Sequence, residues 1–160
     1  MNKRALLDAI VQRLAAELDL LTRAALATYA EATDEQNKAE NKYDTRSLEA
    51  SYLARGQSRV VDEAAQALDQ YRSLALRETA PGEPVALGAL LTVADSAGQQ
   101  SHFFIGPSAG GTELDYDGSP VMVITPHSPL GRQLVGRREG DSVQLERGGK
   151  RSEYRIVSVA

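Results

Sequence analysis

Carboxylate side chains are the groups of this chain most able to do chemistry, and four of them lie within residues 33–46, TDEQNKAENKYDTR. The four are Asp34, Glu35, Glu40 and Asp44. The stretch contains no Leu, Ile, Val, Met or Phe, so it cannot hold a hydrophobic core together. Carboxylate oxygens bind hard cations or stay hydrated at the surface. A hydrated acidic bend is the commonest explanation of such a run, and the composition of this stretch alone favours it.

Long helical segments precede and follow the acidic stretch. Residues 3–32 contain no Gly or Pro and are rich in Ala, Leu, Glu and Arg, which predicts a helix. Its apolar stripe, with spacings of three or four, comprises Leu7, Ile10, Leu14, Leu18, Leu21, Ala25, Thr28 and Ala32. The heptad positions of the second segment are Ala50, Ala54, Gln57, Val61, Ala64, Leu68, Tyr71 and Ala75. Two stripes of similar length predict an antiparallel coiled-coil hairpin with its tip near residues 33–46.

A different pattern begins after residue 78. The sequence TAPGEP at residues 79–84 ends the helix, because proline lacks an amide hydrogen and restricts the residue before it. We therefore expect a hairpin domain over residues 1–78 and a second domain over residues 79–160. Short β-rich runs follow at residues 89–94, 101–105, 121–125, 142–146 and 153–159. Gly148-Gly149 lies between the last two runs and predicts a hairpin.

One short helix is predicted between the third and fourth β-rich runs. Ser128 suits the N-cap, Pro129 suits the first helical position, and Gly136 suits the position after the last turn. A helix across one face of a sheet would bury six apolar residues together, which are Leu130, Leu134, Ile124, Val143, Leu145 and Ile156. The patterns together indicate an α+β protein.

Charge and composition limit the class of function. The formal net charge of −4 argues against a general nucleic-acid coat, because such proteins need cations to displace counterions. Residues 79–131 contain five acidic and no basic residues, whereas residues 132–160 contain seven basic and four acidic ones. The last stretch suits an acidic protein surface, although evenly solvated charge explains it equally well. No Cys is present, and Asp8 and Arg13 interrupt the first apolar run, so we expect a cytoplasmic protein without a membrane partner.

Residues 123–159 resemble the C-terminal domain of the Gre-type bacterial transcript-cleavage factors. The blocks that carry the likeness are Ser128-Pro129-Leu130-Gly131-Arg132, Leu134-Val135-Gly136-Arg137, Glu139-Gly140-Asp141, Gly148-Gly149 and Tyr154-Arg155-Ile156-Val157. Factors of this family also begin with a long antiparallel coiled coil, so the resemblance covers the architecture of the whole chain. It implies an N-terminal antiparallel α-helical coiled-coil hairpin followed by an FKBP-like antiparallel β-sheet domain with one short helix.

The resemblance also implies a partner and a mechanism. The C-terminal domain would dock at the rim of the secondary channel of the bacterial RNA polymerase core through Ser128, Pro129, Leu130, Arg132, Arg137 and Arg138. The hairpin would reach through the channel, where tip carboxylates help hold the second Mg²⁺ of the polymerase and act indirectly on the transcript 3′ end. The chain would stimulate hydrolysis by the polymerase without being an enzyme, and would hold no metal or cofactor alone.

The tip matches the family pattern only in part. That pattern is an Asp, two further residues and then Glu-Asn, and the matching positions here are Asn37 and Glu40-Asn41, with Tyr43 near its family spacing. The amide of Asn37 is a neutral ligand and adds no charge beside a cation. Besides Glu40, the carboxylates that can replace this missing anionic ligand are Asp34, Glu35 and Asp44.

Other functions remain open. A secondary-channel factor can regulate the polymerase without supporting cleavage. A coiled-coil adaptor is favoured if apolar residues outside the seam, such as Leu6, Leu20, Leu26 and Leu53, are exposed. An FKBP-like prolyl isomerase ranks lowest because the domain has few aromatic residues for a pocket. Regulators resembling the nucleoside diphosphate kinase regulator share the C-terminal domain but lack the long coil. The matched stripes also predict a monomer.

Overall fold

A computed structural model describes residues 2–33, 45–147 and 149–160. Its elements, in chain order, are α1 (Lys3–Thr33), α2 (Thr45–Arg72), β1 (Leu90–Asp95), β2 (Gln100–Ile105), β3 (Glu113–Tyr116), β4 (Ser119–Ile124), α3 (Pro129–Leu134), β5 (Ser142–Arg147) and β6 (Lys150–Val159). The chain divides into two compact units, one formed by Met1–Ile10 with Gln70–Ala160 and the other by Val11–Asp69. The predicted domain boundary after residue 78 stays a prediction.

Helices α1 and α2 form the predicted helical hairpin, and burial follows the predicted seam. On α1 the seam residues Leu7, Ile10 and Leu14 are buried, and on α2 the seam residues Ala54 and Leu68 are buried. One face of each helix is therefore covered, as the spacing of apolar residues requires.

The heptad seam ends earlier than the sequence predicted. Helix α2 stops at Arg72, so Ala75, the last predicted seam position, lies outside the helix and is exposed. The N–H of Leu74 donates to the Tyr71 carbonyl oxygen at 3.2 Å, a three-residue closure that tightens the last turn. The chain thus leaves the helix before it reaches the prolines of residues 79–84.

The start of α1 is fixed by hydrogen bonds. The Asn2 side-chain oxygen accepts from the Arg4 N–H at 3.0 Å, as an N-cap residue does. The Asn2 carbonyl oxygen also accepts from the Tyr116 hydroxyl at 3.3 Å. The Lys3 ammonium donates to the Arg77 carbonyl oxygen, and burial lowers the pKa of Lys3, an effect that the charge of Glu78 partly opposes.

The strands form one six-stranded sheet in the order β3-β4-β2-β1-β6-β5. The predicted fold class is confirmed, but one of the five pairings is parallel, between β2 and β4. The cause is strand β3, which the sequence patterns did not predict. Because β3 and β4 form an antiparallel hairpin after β2, strand β4 returns in the direction of β2 and pairs beside it.

The turn between β3 and β4 explains why a four-residue strand is stable. Asp117 and Gly118 form its two-residue loop, and their φ angles are +54° and +73°. Two positive φ values match a type I′ turn, whose twist suits a tight hairpin. The Asp-Gly pair was thus a usable sequence signal for this strand.

Alternate residues of the strands face a core beneath α3. Its buried members are Val85, Ala89, Leu91, Val93, Phe103, Ile105, Ile124, Leu134, Val143 and Ile156, with Met122, Leu130, Tyr154 and Val159 partly buried against them. Four of the six residues predicted to meet under the short helix are fully part of this core, and Leu130 borders it. The side chain of Leu145 lies outside the described residues.

The opposite face of β2 packs against Tyr71 from the end of α2. The rings of Tyr71 and Phe104 lie 6.5 Å apart, and the Tyr71 hydroxyl donates to the Ser108 carbonyl oxygen at 2.8 Å. Burial raises the pKa of Tyr71, so its hydroxyl stays protonated and able to donate. A Cβ atom at Gly106 would lie 1.9 Å from the Tyr71 hydroxyl oxygen, so only glycine fits at position 106.

We expect Gly106→Ala to lower the free energy of unfolding by about 1–3 kcal/mol, because the added methyl overlaps Tyr71 and Val123. Tyr71→Phe in the same background removes the nearest atom and should recover part of the loss. Gly56→Ala is the control, because a methyl added there would meet no atom within 4 Å and alanine should add about 1 kcal/mol to a helix. Urea unfolding measures all three, and equal stability of Gly106→Ala and the wild type would contradict the packing.

Candidate functional site

The predicted site residues fall into two groups. The tip residues Asp34, Glu35, Asn37, Glu40, Asn41, Tyr43 and Asp44 lie outside the described residues. Their roles stay predictions. The second group, around α3 in the sheet domain, is described in full.

Ser128 holds the N-terminal turn of α3. Its backbone is extended, with φ −66° and ψ 155°, and its hydroxyl oxygen accepts from the Gly131 N–H at 3.0 Å. The same hydroxyl donates to the Thr125 carbonyl oxygen at 2.8 Å. The predicted N-cap is confirmed, and these two bonds account for the Ser128 side chain without a chemical role.

Gly131 permits the close approach on which this turn depends. A Cβ atom there would lie 1.9 Å from the Thr125 carbonyl oxygen, so the residue is restricted to glycine. Leu130, one position earlier, is partly buried against the core beneath α3. Ser128, Leu130 and Gly131 of the Ser128–Arg132 block therefore all help to shape the turn.

The remaining residues of the block are exposed. Pro129 and Arg132 both lie on the outer side of α3, and Val135, which follows the helix, is 38% exposed. An exposed proline, a cation and an aliphatic side chain on one short rigid element form a surface suited to protein contact. This surface, defined by Pro129, Arg132 and Val135, is called the α3 surface below.

Arg137 and Arg138 lie next to the α3 surface but are not equivalent. Both are exposed, and the Arg137 carbonyl oxygen accepts from the Val85 N–H at 2.7 Å. The Arg138 guanidinium donates to the Gly82 carbonyl oxygen, and the Arg138 N–H donates to Asp141 Oδ2 at 2.8 Å. The Arg138 side chain thus fixes the segment that enters the sheet domain, whereas that of Arg137 has no such bond among the described contacts.

A cavity of about 340 Å³ opens beside α3. Phe103, Met122, Leu130 and Tyr154 provide its apolar lining, and Glu113 provides a carboxylate. Sequence reasoning missed this cavity, because β3, which supplies Glu113, was not predicted. The Asp-Gly turn signal after β3 would have placed Glu113 on the sheet.

The two histidines show no sign of a metal site. His102 Nδ1 lies 3.0 Å from Thr92 Oγ1 on the neighbouring strand, and His127 is exposed. Within residues 2–33, 45–147 and 149–160, no group of three or more His, Asp or Glu side chains is placed to hold a metal ion. In the same part of the chain, no helix combines the length and apolar character needed to cross a membrane.

The apolar residues outside the helical seam, whose exposure would favour an adaptor function, differ in exposure. Leu6 is fully buried, so the expectation of its exposure is wrong. It lies in the unit that contains the sheet, where it is covered although it is off the helical seam. Leu20, Leu26 and Leu53 are 68%, 62% and 57% exposed, as that expectation required.

Comparison with known proteins identifies relatives of both parts of the chain. The family described as "Transcription elongation factor, GreA/GreB, C-term" matches residues 80–160. "Transcription elongation factor GreA" of Xanthomonas campestris pv. campestris is 33% identical over 85 residues, which are 53% of this chain and 51% of that protein. This match thus spans about half the length of that relative.

A longer match extends into the helical hairpin. "Transcription inhibitor protein Gfh1" of Thermus thermophilus is 27% identical over 124 residues, covering 76% of this chain and 75% of that protein. The crystal structure of Gfh1 from the same organism is similar, with a TM-score of 0.40, 22% identity and coverage of 94% of each chain.

The Arg138 side chain bonds within the fold and that of Arg132 does not among the described contacts, and this difference leads to a prediction about stability. Arg138→Ala should lower the free energy of unfolding by about 0.5–1.5 kcal/mol, because the Gly82 carbonyl oxygen loses its donor. Arg132→Ala, the matched control on α3, should change it by less than about 0.5 kcal/mol. Thermal and urea unfolding of the two variants measure the difference. Equal effects of the two substitutions would show that the Arg138 bond contributes nothing.

Proposed function

Because this chain belongs to the GreA/GreB family of transcription elongation factors, we propose that it binds the bacterial RNA polymerase core at the rim of the secondary channel. The observation that carries the proposal is the exposure of Pro129 and Arg132 on a capped turn within the matched region. In the resembling factors this block belongs to the domain that docks on the polymerase. Ser128 and Leu130 would act by holding the turn, and Arg137 would extend the contact.

The hairpin then has a role that its composition supports. Inserted through the channel, it would bring Glu40, with Asp34, Glu35 or Asp44, near the second Mg²⁺ of the polymerase. Mg²⁺ is usually held by one or two carboxylates together with water and phosphate, so one added carboxylate can complete a site that the polymerase leaves open. The chain would thus regulate hydrolysis of backtracked transcripts by the polymerase, in the bacterial cytoplasm, without being an enzyme itself.

A second candidate is a secondary-channel regulator that does not support cleavage. Two observations favour it. Asn37 stands where the family pattern has Asp, which removes one negative charge from the tip. The relative with the longer match is named as a transcription inhibitor. Both candidates share the docking step and differ only in what the tip does.

Docking is tested by charge reversal at Arg132 and Arg137, whose side chains form no structural bond among the described contacts. Arg132→Glu and Arg137→Glu together should weaken binding to core RNA polymerase about tenfold or more. The two arginines are proposed to face an acidic surface of the polymerase, which the introduced carboxylates would repel. Arg155→Glu, an exposed arginine on β6, is the control for charge alone and should bind as the wild type does. Fluorescence anisotropy with labelled protein measures the dissociation constants. If the folded double variant binds like the wild type, the α3 surface is not the docking surface.

The tip is tested on stalled, backtracked elongation complexes. With Glu40 as the only tip carboxylate in register, the wild type should shorten the transcript weakly or not at all. Asn37→Asp should increase cleavage, because a carboxylate adds a full charge beside Mg²⁺ where the amide offers only a dipole. Gel analysis of labelled transcripts measures the rate.

The control for that experiment is Glu40→Ala. It should abolish any cleavage while leaving polymerase binding unchanged, because residues 33–46 contain no core-forming side chain. Strong wild-type cleavage that survives Glu40→Ala would assign the chemistry to Asp34, Glu35 or Asp44. No cleavage by the wild type or by Asn37→Asp, with binding intact, would establish the non-cleaving regulator.

We propose that the factor is a monomer. The exposed apolar residues of the hairpin bear on the alternative function, a coiled-coil adaptor. Leu20, Leu26 and Leu53 are exposed, and Tyr52 is also 62% exposed. A coiled-coil adaptor would bury such residues against a second protein or a second copy. Sedimentation velocity that reports a stable dimer would favour the adaptor over the polymerase factor.

A further inference from the structure

The cavity beside α3 is built by a row of side chains across the sheet. Glu113 of β3 lies opposite Met122 of β4, and Met122 lies opposite Phe103 of β2. Residues directly opposite each other on paired strands project from the same face. A carboxylate at the sheet edge, a thioether and an aromatic ring therefore follow one another along the side of the sheet that α3 covers.

Side chains from two other elements complete the cavity. Leu130 of α3 and Tyr154 of β6 line it, and both are partly buried against the core. Gln99, Gln100, Ser101, His102 and Pro120 also line it, so the cavity combines apolar and aromatic walls with polar ones. Glu113 at its edge is exposed to solvent. At about 340 Å³ the cavity lies at the lower end of the range for ligand sites in proteins.

The titratable side chains in the lining of the cavity are Glu113, His102 and Tyr154. Glu113 is the only Asp or Glu among the residues that line it, none of them is Lys or Arg, and all lie in the described part of the chain. Asp115 and Asp117 follow Glu113 on the same hairpin, and both are exposed. A cleft with apolar and aromatic walls, a carboxylate at its edge and further acids nearby attracts a cationic group with an apolar stem.

We propose that this cavity accepts an arginine side chain of the protein on which the α3 surface docks. The inference rests on the proposed function, since the docked protein would be RNA polymerase. Leu130 lines the cavity and directly follows Pro129 of the α3 surface. A partner segment placed against the α3 surface would therefore lie at the cavity mouth.

Arginine fits this chemistry better than other side chains. Its planar guanidinium can form two parallel hydrogen bonds with the Glu113 carboxylate, and it stacks on aromatic rings such as Phe103 and Tyr154. It is also more weakly hydrated than the lysine ammonium, so it enters an apolar cleft at lower cost. A purely aliphatic side chain would gain nothing from Glu113.

The first test uses the intact chain and core RNA polymerase. Glu113→Gln keeps the shape of the side chain and removes its charge, and we expect binding to weaken about tenfold. Asp117→Asn is the matched control, because it removes the same charge from the turn of the same hairpin and asparagine tolerates its positive φ. Asp117→Asn should bind within about twofold of the wild type. Equal binding by Glu113→Gln and the wild type would overturn the inference.

The second test is independent of the polymerase. N-acetyl-arginine amide added to the ¹⁵N-labelled protein should shift the amide signals of Phe103, Glu113 and Met122, and these shifts should be lost in Glu113→Gln. The neutral analogue N-acetyl-citrulline amide should produce no such shifts. Shifts spread over the whole surface, or none at all, would overturn the cavity assignment.

The two tests separate the inference from the proposed function. If the wild type does not bind core polymerase, the proposed function fails, and the arginine titration still decides what the cavity accepts. If the wild type binds and Glu113→Gln does not weaken binding, the docking proposal stands and the arginine site is wrong.

Discussion

The packing of Tyr71 against the loop after β2 constrains the sheet domain at a position where only glycine fits. Its ring lies against Phe104, and its hydroxyl donates to the Ser108 carbonyl oxygen. Gly106 makes this possible, because any side chain there would overlap the Tyr71 hydroxyl. A buried phenol that is hydrogen-bonded stabilises through both its apolar area and its partner, whereas an unpaired one would cost free energy. Tyr71 therefore packs on the sheet with its hydroxyl satisfied.

The α3 turn, beneath the proposed docking surface, also combines a hydrogen-bonded hydroxyl with a close approach at a glycine. Ser128 caps the helix through two hydrogen bonds, and Gly131 brings the turn close to the Thr125 carbonyl oxygen. These bonds leave Pro129 and Arg132 exposed on a backbone that has little freedom. Preorganised contact residues lose less conformational entropy when they bind, so a short capped helix can support a specific contact despite its small size.

The sequence predicted most of what depends on local patterns. The helical seam followed from apolar spacings of three and four, the N-cap of α3 from Ser128-Pro129, and five of the six strands from β-rich runs. It missed strand β3, whose hydrophobic signal is weak because only Leu114 and Tyr116 are partly buried, although Asp117-Gly118 marks the turn that follows it. It also failed where the structure depends on contacts between distant segments. Leu6 lies off the helical seam yet is fully buried, in the compact unit that also contains the sheet. Contacts between distant segments leave no periodicity in the sequence from which they could be predicted.

The candidate site shows the same division between local and distant contacts. The Ser128–Arg132 block could be recognised as a motif, but the sequence could not separate its structural residues from its exposed ones. Nor could it show that the Arg138 guanidinium is bound to the Gly82 carbonyl oxygen, 56 residues earlier in the chain. Charge shows why this matters. Seven basic residues between 132 and 160 suggest one basic surface, yet each arginine that bonds within the fold is less available to a partner. Arg132 and Arg137 form no such side-chain bond among the described contacts, and the proposed docking surface rests on them for this reason.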